Sequence, residues 1–68
     1  LMDYLVALKM TYEAEIATAT ANLENYLYNA VGVAEHPDII KSIDAMVEKI
    51  ASAKEKILVV EEKLNDGP

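Results

Sequence analysis

The residues able to do chemistry are few, and they gather at one place. His36 is the single histidine, set between Glu35 and Pro37 with Asp38 just beyond. An imidazole beside two carboxylates can move a proton near neutral pH or supply one metal ligand. The same imidazole at a chain reversal is more simply a solvated cap. No Glu-x-x-His pair and no His-Glu-x-x-His occurs, so the di-iron carboxylate signature and the zinc-hydrolase signature are both missing. There is no cysteine, which removes disulfides and thiolate metal sites. No cofactor or metal is expected.

The twelve carboxylates are spread rather than paired. Glu13 with Glu15, and Glu61 with Glu62, are close in sequence, yet side chains one or two apart on a helix diverge. Glu15 lies at the margin of an apolar sector, within reach of a lysine from another helix. Lys49, Lys56 and Lys63 repeat every seven residues, the place where such partners sit in coiled helices. The simpler account is a solvated rim worth little energy. Tyr4, Tyr12, Tyr26 and Tyr28 could stack bases only beside a basic surface. The net charge is −6 and every basic residue is lysine, so nucleic acid and anionic membranes are poor partners. Two glycines in all leave no phosphate-cradling loop. No serine–histidine–acid set can be assembled. The chain is therefore read as not an enzyme.

Those residues sit on two long amphipathic segments. Ile39, Ile43, Met46, Ile50, Ala53, Ile57, Val60 and Leu64 alternate steps of four and three, which draws one apolar seam along a helix. In the first half Leu5, Leu8, Tyr12, Ile16, Ala19, Leu23, Tyr26 and Ala30 recur at similar steps. The consecutive fours at Leu8–Tyr12–Ile16 locally resemble an eleven-residue repeat and predict a straighter helix there. Asp3 reads as an N-cap. Between the segments, Gly32 fits a helix stop, with Val33 folding back onto Tyr28. Pro37 fits the first turn of the next helix, and His36 or Asp38 its cap. The expected layout is one domain over 1–68: helix 3–31, turn 32–36, helix 37–65 and a frayed tail 66–68. So short a connection makes the helices antiparallel.

The fold class is all-α, an antiparallel two-helix hairpin. A domain of 68 residues is marginal alone, and with disulfides and metals removed, oligomerisation is the remaining remedy. The core seam is taken as Leu5, Tyr12, Ile16, Leu23, Ile43, Ile50, Ile57 and Leu64. Apolar residues outside it, Leu58, Val59, Met10 and Tyr28, are expected at an interface. Two hairpins about a two-fold axis give a homodimeric four-helix bundle. That shape is similar to the small homodimeric hairpins called ROP-like; no residue motif carries the likeness, which lends no function.

The expected function is a structural or interaction protein that associates with itself and docks a protein partner. A second reading is a small acidic regulator, of the kind viruses also use, masking a basic surface on its target. A third is an enzyme or metal protein using His36. No apolar run reaches the roughly 18 residues of a membrane span, and nothing reads as a signal peptide. A cytoplasmic location is expected, with Met2 as the natural start and Leu1 a leftover. If His36 is only a turn residue, His36→Ala leaves helicity and association unchanged, as circular dichroism and sedimentation would read.

Overall fold

A computed structural model describes residues 2–29 and 38–66. Two helices account for nearly all of them: α1 (Met2–Tyr28) and α2 (Ile39–Asp66). They pack side by side, and no strand occurs among the described residues. Lys9 meeting Glu61 and Tyr12 meeting Lys56 set the helices antiparallel.

The ends follow local chemistry. Helix α1 begins at Met2, so Asp3 lies inside the first turn rather than capping it, where its charge still favours the helix's positive end. The helix stops at Tyr28, earlier than its apolar spacing predicts. Asparagine is a weak helix former, and it favours local bonds that compete with continuation. Asn29 is no longer helical; its N–H donates to the Asn25 carbonyl at 2.9 Å and its Nδ2 donates to Asn25 Oδ1 at 2.9 Å. The expected roles of Ala30, Gly32, Val33, His36 and Pro37 lie outside the described residues. Asp38 occupies the N-cap position of α2: its carbonyl accepts from the Ser42 N–H at 3.0 Å. Lys63 in the last turn suits the negative end of α2.

Every seam position of α2 is at least partly buried, from Ile39 to Leu64 in unbroken four–three steps. The seam of α1 differs from the spacing read in the sequence. Lys9 is partly buried while Leu8 is 42% exposed. The shielded positions Leu5, Lys9, Tyr12, Ile16, Ala19, Leu23 and Tyr26 again alternate fours and threes, with Thr20 partly buried beside Ala19. No eleven-residue stretch interrupts them. A lysine can hold this place because its methylene stem packs while its ammonium reaches the edge.

The radius of gyration is 15.5 Å, against about 11 Å for a compact chain of this length. Such a rod encloses little. Ala19, Ala53 and Val60 are the buried apolar residues among those described, at 2%, 1% and 6% exposure. Leu5, Tyr12, Ile16, Leu23, Ile43, Ile50, Ile57 and Leu64 are only half-buried. Both alanines disappear because the helix backbones approach closely there, and a larger side chain would hold them apart. Ala53→Leu is expected to destabilise the fold by about 1–3 kcal/mol through overpacking, measured by chemical denaturation.

Candidate interaction faces

The seam divides the hairpin into two faces of different chemistry. One face carries an open groove between the helices. Thr11, Glu15 and Thr18 of α1 line it, opposite Lys49, Ser52 and Lys56 of α2. Tyr12 connects the groove to the seam: Lys56 Nζ lies 5.4 Å from its ring centroid, a cation–π contact worth about 0.5–1 kcal/mol at an exposed site. The Thr11 hydroxyl donates to the Ala7 carbonyl at 2.9 Å, so it is occupied within its own helix. Glu15 therefore stands among lysines, as its spacing suggests, but the ion pair between the helices forms elsewhere.

That pair is Lys9 Nζ with Glu61 Oε2, at 3.2 Å, with both side chains about one-third to two-fifths exposed. Reading the apolar spacing alone passed over it, because a lysine was not counted as a seam residue. The available signal was the four–three register itself, which runs through position 9 if charge is ignored.

The opposite face carries most of the large exposed apolar side chains, set among Glu13, Glu24, Asp44 and Lys54. At 100° per residue, the flank of α1 turned away from the groove carries Val6, Met10, Ala17 and Leu27. The same flank of α2 carries Ile40, Val47, Ala51 and Leu58. The larger members are exposed: Met10 at 64%, Ile40 at 74% and Leu58 at 60%, with Val6, Leu27 and Val47 close to half. Of the four interface residues expected from sequence, Met10 and Leu58 share this face. Tyr28 projects from the back of α1, away from α2, and is 79% exposed. Val59, one residue and 100° on from Leu58, turns towards the side of Ala45 and Ser52, which line the groove.

Among the described residues, no group of three or more Asp, Glu or His side chains converges as a metal site would require. No side-chain polar atom among them is buried without a partner. No described helix is long and apolar enough to cross a membrane. No protein-family model, curated protein or solved structure matches the chain.

The geometry of the ion pair sets its strength. Half-exposed pairs of this kind contribute under about 1 kcal/mol and weaken as salt rises. A double-mutant cycle of Lys9→Ala and Glu61→Ala is expected to return a coupling below that value, and a smaller one in high salt.

Proposed function

We propose that this chain is a non-enzymatic structural or interaction protein, a helical hairpin that associates with itself through its apolar face into a homodimeric four-helix bundle. The bundle's two groove faces then point outward, where threonine, serine, glutamate and lysine side chains offer a protein partner a polar docking surface.

A single observation carries the reading. The described residues bury two alanines and one valine, while Met10, Ile40, Val47 and Leu58 stand exposed on one side. Contiguous exposed apolar surface on a small domain usually marks an interface. The chemistry available elsewhere is thin. The groove's charged residues form no convergent acid–base set, and a chain without arginine is poorly equipped to hold an anionic substrate.

Sedimentation equilibrium is expected to return a dimer. Leu58→Glu should preserve helicity and shift the population to monomer, because it sets charge in the apolar face. Val59→Glu places the same charge on the other side of α2 and should leave the dimer intact. A wild-type chain that stays folded and monomeric at high micromolar concentration would overturn the proposal.

A further inference from the structure

The apolar face carries a pattern that selects how a second copy sits on it, an inference that rests on the self-association proposed above. Residues at one height in the hairpin are fixed by Lys9 against Glu61 and Tyr12 against Lys56. Met10 therefore stands level with Leu58, Ala17 with Ala51, Thr20 with Val47, and Leu27 with Ile40. Glu13 is level with Lys54, Glu24 with Asp44, and Val6 with Glu61. These residues step by fours and threes along each flank, in phase with the seam, so they form complete rows across the face.

Two copies can join their apolar faces about a two-fold axis in two ways. With the axis parallel to the helices, α1 of one copy lies on α2 of the other, and both connections are at the same end. Each row then meets its own mirror. Met10 meets Leu58 of the second copy, Ala17 meets Ala51, Thr20 meets Val47, and Leu27 meets Ile40. Glu13 meets Lys54, an attraction made twice by symmetry. The row of Glu24 and Asp44 brings like charges together, in file with Met10 and Leu58, and Val6 meets Glu61, which Lys9 already pairs within its own hairpin.

With the axis across the helices, α1 lies on α1 and α2 on α2, and the connections are at opposite ends. In the fully overlapped register the midpoints of α1 (Met2–Tyr28) and α2 (Ile39–Asp66) lie on the axis. Met10 then meets Thr20 of the second copy and Leu58 meets Val47, but Val6 meets Glu24 and Leu27 meets Asp3, charges that must be desolvated without a partner. Asp44 meets Glu61, a like-charge contact made twice, and no row brings opposite charges together. Ala17 and Ala51 each stand close to the axis and so near their own copies.

We infer that the occupant of this face is a second copy of the chain in the first arrangement, α1 on α2, with both connections at one end of the bundle. The available area suits such a partner. A helix of 27 residues is about 40 Å long, and two helix widths are about 20 Å. The face thus offers roughly 800 Å² per copy, the size of a standard specific interface.

The chain has no cysteine, so an introduced thiol is unique. Ala17→Cys and Ala51→Cys each replace a small exposed residue. The two variants are mixed, one carrying a mass tag, and treated with a short bismaleimide while sedimentation on the same samples reports the oligomer. The expected result is a cross-linked dimer containing one of each variant, with little or no product from either variant alone. Self-linked Ala17→Cys or Ala51→Cys dimers would overturn the arrangement while leaving self-association standing. A sedimenting dimer that yields no cross-link in any sample would overturn the choice of face. A monomer in every sample would overturn the self-association beneath it as well.

Discussion

Two rods in contact cannot surround a side chain. Each helix covers one stripe of the other and leaves the flanks in water, and the molecule's extents of 53 × 14 × 14 Å leave no interior beyond that stripe. What disappears from solvent is small: Ala19, Ala53 and, nearer the termini, Val60. The isoleucines and leucines of the seam remain half wet. Burial of apolar surface is the main favourable term in folding, so a lone hairpin gathers only part of the stabilisation its composition offers. A second layer would supply the rest, and folding would then be coupled to chain concentration.

Much of this was legible in the spacing of residues. The seam of α2 can be read in full from Ile39 to Leu64, because every position is apolar and no competing register exists. The hairpin architecture follows from two such segments around glycine and proline. In α1 the register was harder to see. Leu8 and Lys9 compete for one position, and apolarity points to Leu8. The structure places Lys9 there because the four–three register of Tyr12, Ile16, Ala19, Leu23 and Tyr26 continues back through position 9 to Leu5. Its stem packs in the seam while its ammonium meets Glu61. The end of α1 also differs from expectation: alanine-rich spacing continues past Tyr28, while the helix ends there, beside asparagines, which are weak helix formers.

The candidate interface was legible only in part. Exposed apolar residues can be found in a sequence, but their grouping depends on which side of the seam each one takes. Leu58 and Val59 are neighbours in the chain and belong to different faces. Met10 joins Leu58 although the two are far apart in sequence. The groove locates the other side, since residues of both helices line it together. The large exposed apolar side chains concentrate on its opposite, although charges occur on both, an asymmetry that composition alone does not reveal.

The unbroken alternation of fours and threes along both helices has a consequence for how this molecule can change in length. Losing one residue within either helix would turn everything beyond it by 100° and exchange the wet side for the greasy one. Removing seven from α1 together with the seven facing them on α2 would restore every level and every orientation. Shortening or lengthening is therefore tolerated only in matched blocks of two turns, and the rod can be rescaled like a ruler cut at its graduations.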